Sequence, residues 1–427
     1  MDWFFQVKTV EEALKTLFSH WSPPPPQVEL VHLTECRTRV LGADVRSNED
    51  IPPHCRSTVD GYAVLAKDTF GASESLPAIL QVVEDIPMGS LPRRKLTAGL
   101  ASKIPTGGIL PDGADACVMI EHTESLPDGT VLIMKPVSPG ENVIQKGEDV
   151  SAGSLLLPRG SRLRPPDVGA LAALGVCQVP VAKKPTVAVV STGDEIVPPE
   201  ASPGPGQIRD INSYSIAASV ESAGGDPLIL GIAHDTYDAL RSMVERGLEA
   251  ADMVIVSGGS SVGVRDHAVR VFSDLGPPGV FVHGVAVRPG KPVIMGASGN
   301  KLLFGLPGHP VSALTAFSLF VRPSIDAMLG ALDPSNLAAS AAIAGAETVI
   351  EPTVTARLTR NVSSAPGRQD HIRVRLIQDK DGFWAEPILG KSGLITTMVR
   401  AQGEIVVPRN SEGLQKGTTV QVRLYST

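Results

Sequence analysis

Aromatic residues make up only 4 % of the 427 positions, and the four cysteines, Cys36, Cys55, Cys117 and Cys177, stand too far apart to form a Cys-x-x-Cys pair. A zinc ribbon or dithiol redox site therefore has no ligand pattern, and the cysteines read as small buried hydrophobes in a reducing compartment. Positive charge is short as well. The 38 Lys and Arg against 45 Asp and Glu leave a formal net charge of −7, which argues against any general attraction to nucleic acid or anionic membrane. No apolar run approaches the roughly 18 residues of a membrane span. The opening MDWFFQVKTVEEALKTLF carries Glu11 and Glu12 where a signal peptide needs an apolar stretch. The expectation is a cytoplasmic protein with a small-molecule substrate and no nucleic-acid or membrane partner. An anionic ligand must then be held by a local constellation.

Glycine and proline are plentiful, 42 and 36 residues, which favours many turns and short strands over long helical bundles. The length exceeds what one hydrophobic core serves, and roughly two to four domains are expected. Thr9-Val10-Glu11-Glu12 has the form of a capping box, and Val10, Ala13, Leu14, Leu17 and Phe18 repeat behind it at helical spacing, so a helix opens the chain and ends before the prolines at 23–26.

The order of patterns predicts an α/β multidomain chain in four parts. Residues 1–46 and 140–182 share a composition and read as one interrupted N-terminal linker domain. Short strands and turns over 47–139 read as an inserted β-rich domain. Over 183–330 apolar strands alternate with helices, which predicts a central α/β domain with a mainly parallel sheet covered on both faces. Leu240, Met243, Val244 and Leu248 mark one helical face there. Residues 331–427 return to short strands and read as a C-terminal β-barrel-like domain.

The informative motifs fall where the α/β strands end, and in open sheets of this class ligands gather at the strands' carboxyl ends. VAVVS runs into Ser191-Thr192-Gly193-Asp194-Glu195; another strand runs into His234-Asp235; a third into SGGSSVG with Gly258, Gly259 and Ser260, followed by Asp266. Such turns let backbone N–H groups approach a phosphate, with hydroxyls as added donors. SGGSSVG is neither a Walker loop nor a dinucleotide fingerprint. Two adjacent carboxylates at a strand end, with Asp210, Asp235 and Asp266 expected at the same rim, repel one another unless a cation joins them. A Mg²⁺ shared with phosphate oxygens resolves the conflict. Helix capping is the competing role for Asp235 and Asp266. Arg288 and Lys291, in RPGKP, supply positive charge on a proline-stiffened turn.

Together these residues resemble the MoeA family, whose eukaryotic branch includes gephyrin and the plant molybdenum insertases. The likeness runs through STVDGYA (57–63), PTGGILPDGADACV (105–118), KGEDVSAG (146–153), STGDE (191–195), GQIRDIN (206–212), SGGSSVG (257–263), PGKP (289–292) and LPGHPVSA (306–313). The resemblance implies molybdenum cofactor synthesis: adenylylated molybdopterin receives metal from molybdate, and AMP leaves in a Mg²⁺-dependent hydrolysis. It also implies a homodimer with a site shared between subunits. Carried over by motif, Glu195, Asp235, Asp266 and Lys291 are active-site positions, with Glu195, Asp235 and Asp266 on the metal. Asp60 and Thr106 reach in from the partner chain. Pro307 and Pro310 match the place of the metal oxyanion, and Ser392 and Thr397 a polar stretch near the cleft. Arg288 stands where many relatives carry Lys, His309 where Asn is common, and Ile144-Gln145-Lys146 where consecutive arginines are frequent. Other readings are a paralogue handling tungstate, a non-catalytic scaffold, and a phosphohydrolase of ordinary nucleotides.

Overall fold

The computed structural model describes residues 7–258, 262–336 and 352–425, and only the backbone of 262–266 and 336. The opening helix spans Val10–His20 and begins with the expected capping box: Glu12 N–H donates to Thr9 Oγ1 at 3.1 Å and Thr9 N–H to Glu12 Oε2 at 2.8 Å. Its Leu17, with Trp21 beyond its end, is buried in the same core as Val189, Ile255 and Phe304. This helix thus packs on the α/β layer, although its place in the sequence groups it with residues 1–46.

The strand Val28–His32 pairs antiparallel with Gln178–Ala182 across the interruption. Between them lies a six-stranded sheet built from Gly61–Val64, Ala78–Asp85, Leu100–Ile104, Ala116–Met119, Thr123–Ser125 and Thr130–Ile133. Arg162 joins the first unit to the α/β layer. Its Nη2 donates to Asp326 Oδ1 at 2.8 Å and to Ala223 O at 3.0 Å, and its Nη1 donates to Thr38 O at 3.1 Å.

The α/β sheet comprises β1 (Thr186–Thr192), β2 (Asp226–Ala233), β3 (Met253–Gly258), β4 (Pro278–His283), β5 (Ile294–Ser298) and β6 (Lys301–Pro307), in the order β2-β1-β3-β6-β5-β4. β1, β2, β3 and β6 pair in parallel, and β5 runs against both its neighbours. β4 therefore runs with the parallel strands, and the turn after it opens at their carboxyl ends. Alternate residues of β1 serve opposite faces, as strand geometry requires. Val187 and Val189 pack with Ile216 and Val220 of helix α1 (Asn212–Ala223). Ala188 and Val190 pack with Leu240 and Val244 of α2 (Tyr237–Ala250) and Phe272 of α3 (Val262–Asp274). A further helix, α4 (Pro310–Ala316), follows β6.

The C-terminal strands are β7 (Thr353–Leu358), β8 (Gln369–Asp379), β9 (Gly382–Pro387), β10 (Gly403–Val407) and β11 (Thr419–Leu424). β8-β9-β7-β11-β10 closes on itself through β8–β10, a five-stranded barrel without free edges around Leu358, Val374 and Ile405. A short pairing of Val287–Arg288 with Gln369–Asp370 attaches it to the α/β layer. Among the described residues no helix is long and apolar enough to cross a membrane.

Candidate active site at the carboxyl rim

The carboxyl ends of β1 and β2 are neighbours in the sheet, with Thr192 opposite Ala233. The residues just beyond them are therefore forced together. Thr192 Oγ1 donates to Asp235 Oδ1 at 2.7 Å, the Asp235 N–H donates to Asp194 Oδ1 at 3.3 Å, and His234 Nδ1 lies 3.1 Å from the same oxygen. These contacts hold the Asp194 carboxyl below its ordinary range, the His234 ring nitrogen first and the Asp235 amide second. Glu195 is exposed beside them.

Helix capping is not the role of Asp235. The cap of α2 is Thr236, whose side chain accepts the Ala239 N–H at 3.3 Å. Position 266 likewise lies inside α3, which begins at Val262. The side chain of Asp266, and Gly259 and Ser260, lie outside the described residues.

Asp210 stands near Asp194 but is turned inward. It is 7 % exposed, and its Oδ1 accepts from Ser191 Oγ at 2.9 Å and from the Ser213 N–H at 3.0 Å. That oxygen braces the start of α1 against β1, and Ser191 faces the scaffold with it. Among the described residues no group of three or more His, Cys, Asp or Glu side chains converges as a metal site.

The floor of the rim is set by close backbone approach. Gly258 has φ +150°, and a Cβ there would stand 2.1 Å from the Thr192 carbonyl oxygen, so only glycine lets β1 and β3 end together. Gly308, in the turn after Pro307, sits against Gly258, and Pro310 opens α4 at its first turn. Asn212 ties these parts together: its Nδ2 donates to Ser257 Oγ and to Gly308 O, both at 2.8 Å. Its Oδ1 is buried and has no hydrogen-bond partner among the described residues. The GQIRDIN stretch was visible in the sequence, but nothing local distinguished Asn212 from an ordinary helix-start residue.

Arg288 and Lys291 stand on the turn after β4. Arg288 Nη1 is 3.4 Å from Asp370 Oδ2 of the barrel, a carboxylate with no exposed surface that also accepts Ser364 Oγ at 2.9 Å. Arg368 Nε lies 3.5 Å from Asp370 Oδ1. Neither of those two atoms has a hydrogen-bond partner among the described residues, so the contact is an ion pair rather than a hydrogen bond. One buried carboxylate thus holds two half-exposed guanidinium groups where barrel and α/β layer meet. Arg368 was not marked by sequence reading.

Ser392 reaches the same region, with its Oγ 2.8 Å from His309 Nδ1 and its carbonyl accepting the Val311 N–H at 3.2 Å. Thr397 is buried in the short helix Thr396–Val399, its hydroxyl donating to Leu394 O at 2.8 Å. In the β-rich unit the Thr106 N–H donates to Asp60 Oδ1 at 2.7 Å, and this bond lowers the Asp60 pKa. No described hydrogen bond or ion pair joins Asp60 and Thr106 to the rim.

Comparison with known proteins covers nearly the whole chain. Residues 8–175 match the MoeA N-terminal region (domain I and II), 188–327 a "Probable molybdopterin binding domain", and 355–425 the MoeA C-terminal region (domain IV). The molybdopterin molybdenumtransferase of Bacillus subtilis is 32 % identical over 402 residues, 93 % of this chain and 90 % of that protein. Molybdopterin molybdenumtransferase 2 of Mycobacterium tuberculosis is 37 % identical over 396 residues, 92 % and 94 % of the two chains. The crystal structure of a molybdopterin biosynthesis moeA protein from Pyrococcus horikoshii OT3 superposes with a TM-score of 0.82 at 31 % identity, covering 98 % of this chain and all of that one.

Proposed function

The chain belongs to the MoeA family, and from that premise we propose that it is a molybdopterin molybdenumtransferase that takes adenylylated molybdopterin, inserts metal from molybdate, and releases AMP by Mg²⁺-dependent hydrolysis. The observation that carries the reading is the hydrogen-bonded chain Thr192–Asp235–Asp194–His234, which gathers acids at a strand junction directly above the glycine floor. Hard carboxylate oxygens of this kind suit Mg²⁺, which binds through one or two of them plus phosphate oxygens. Glu195 and Asp235, with Asp266, would hold it, and when bound it supplies countercharge to the phosphate.

The chain's own groups do the rest. Thr192 fixes the Asp235 carboxylate through one oxygen, so its orientation does not depend on ligand. Gly258 and Gly308 let the ligand's anhydride lie close to the main chain. Arg288 and Lys291 orient the departing and incoming oxyanions, Pro307 and Pro310 shape the seat of molybdate, and Ser392 approaches it from the barrel side. Asp60, kept ionised by Thr106, acts on the site from a second copy of the chain, which is why we propose a homodimer. The four-part division drawn from the sequence is proposed with it.

The test is AMP release from adenylylated molybdopterin with molybdate, with and without Mg²⁺. Glu195→Ala and Asp235→Asn are expected to lower the rate by about 10²-fold or more. Unchanged release in both variants, or equal turnover of ATP without any pterin, refutes the proposal.

A further inference from the structure

The segment 388–402 leaves the barrel after β9, reaches the α/β layer and returns at β10. Both its ends are tied to β8: the Ile388 N–H donates to Arg373 O at 2.8 Å and the Gln402 N–H to Val374 O at 3.0 Å. Between them Ser392 meets His309 Nδ1 and the Val311 N–H of α4. None of the segment's apolar side chains is fully buried, and Leu389, Leu394 and Val399 are 58 %, 52 % and 79 % exposed. Apolar burial, the usual source of tertiary stability, therefore does little to hold it.

What lies under the segment is charged. Alternate residues of a strand face opposite sides, and since Val374 and Ile405 pack in the barrel core, His371, Arg373 and Glu404 point out of it. His371 and Arg373 are nevertheless buried, and Glu404 largely so. Glu404 stands opposite Arg373 on one side of the ladder and Arg423 on the other. Its Oε1 is 2.8 Å from His371 Nδ1, and its Oε2 is 3.4 Å from the Tyr425 hydroxyl, which reaches Met398 Sδ of the segment at 3.8 Å. Arg373 Nη2 donates to Gly390 O at 3.4 Å, two residues before Ser392. A buried ionic layer adds little stability, because desolvation offsets the attraction, but it can fix one arrangement of the groups above it. We propose that Glu404 is a positioning residue: by joining His371, Arg373 and Tyr425 beneath the segment it holds Ser392 against the start of α4, and so sets the seat of the incoming oxyanion. The inference rests on the reading that Ser392 borders the molybdate seat.

Lys391 and Arg400 are exposed within the segment, so trypsin cleavage after each reports its opening. The full chain is compared with Glu404→Leu, which removes the bridge but keeps a side chain of similar size; with Tyr425→Phe, which removes one hydroxyl; and with Glu404→Gln, which keeps an oxygen toward Tyr425 and gains a donor toward His371. In Glu404→Leu, cleavage at the two sites should be about tenfold faster or more. The molybdate KM of AMP release should rise about tenfold, while kcat at saturating molybdate stays within about threefold of the parent. Tyr425→Phe should move both readouts the same way by less, and Glu404→Gln should recover most of the loss. Where Glu404→Leu yields no folded protein, Tyr425→Phe decides. Unchanged cleavage in the folded variants overturns the proposal, and so does a lower kcat with unchanged KM, which leaves the proposed function standing. A parent chain that releases no AMP is instead a failure of the proposed function, and cleavage alone then decides whether Glu404 anchors the segment.

Discussion

Asn212→Ala tests whether one side chain aligns the floor of the site. The substitution removes two 2.8 Å hydrogen bonds, to Ser257 Oγ and Gly308 O, from a residue only 8 % exposed. Each such bond contributes about 1 kcal/mol net, and leaving the Gly308 carbonyl unpaired near the core adds about 1–2, so a loss of about 3–4 kcal/mol is expected. Asn212→Asp is expected to cost more, because it keeps the volume, removes both donors and sets a carboxylate facing a carbonyl. The assay is urea unfolding followed by tryptophan fluorescence in a Trp3→Phe, Trp384→Phe background, where Trp21 is the remaining tryptophan. Trp21 is 3 % exposed and its indole donates to Asn300 O at 2.9 Å, so it reports the α/β layer. Asn212→Ala should also slow AMP release by loosening the spacing of β3 and the turn after β6. An unfolding free energy within about 0.5 kcal/mol of the parent refutes the reasoning. A destabilised variant that turns over at the parent rate leaves the tie structural and refutes its role in aligning the site.

Acid should unfold this protein partly through Glu404. Burial pushes its pKa up, but His371, whose Nδ1 is 2.8 Å from Glu404 Oε1, together with Arg423 and Tyr425 holds it below its ordinary value. A depressed folded-state pKa means stability that is present above the unfolded value and lost as pH falls through the folded one. The thermal midpoint of the parent should therefore drop between about pH 5 and pH 3; Glu404→Gln should start lower at neutral pH and show a flatter acid limb, and parallel limbs would exclude this group. Gly258→Ala, with a Cβ 2.1 Å from the Thr192 oxygen, should cost at least about 2 kcal/mol by urea unfolding. Gly169→Ala, in the helix Pro165–Ala173 with open space around it, should gain up to about 1 kcal/mol in the same assay, and equal effects would show that close approach is not what requires Gly258.

Much of the architecture was legible because it is written in short-range periodicity. The capping box at Thr9, the two-faced apolar run of β1 and the helical face of Leu240 and Val244 all follow from repeats of two or of about 3.6 residues, which the backbone imposes wherever such segments fold. The strand ends were legible for a related reason: once the strands are parallel, their carboxyl ends share one edge, and the segments after Thr192 and Ala233 and the end of β3 at Gly258 meet there. The bracing role of Asp210 was not legible, because a carboxylate that bridges Ser191 and Ser213 looks, in one dimension, like any other acid near a strand end.

By itself the sequence determined the kinds of elements, their order and the chemical family of the groups at the strand ends. Tertiary structure alone decided the sheet order, the reversed β5, the union of Arg288 and Arg368 on Asp370, and the tie from Asn212 to Gly308. These depend on which distant segments come to lie side by side. Local patterns fix which face of an element is apolar, but the partner that covers it is selected by packing and hydrogen-bond satisfaction over the whole molecule.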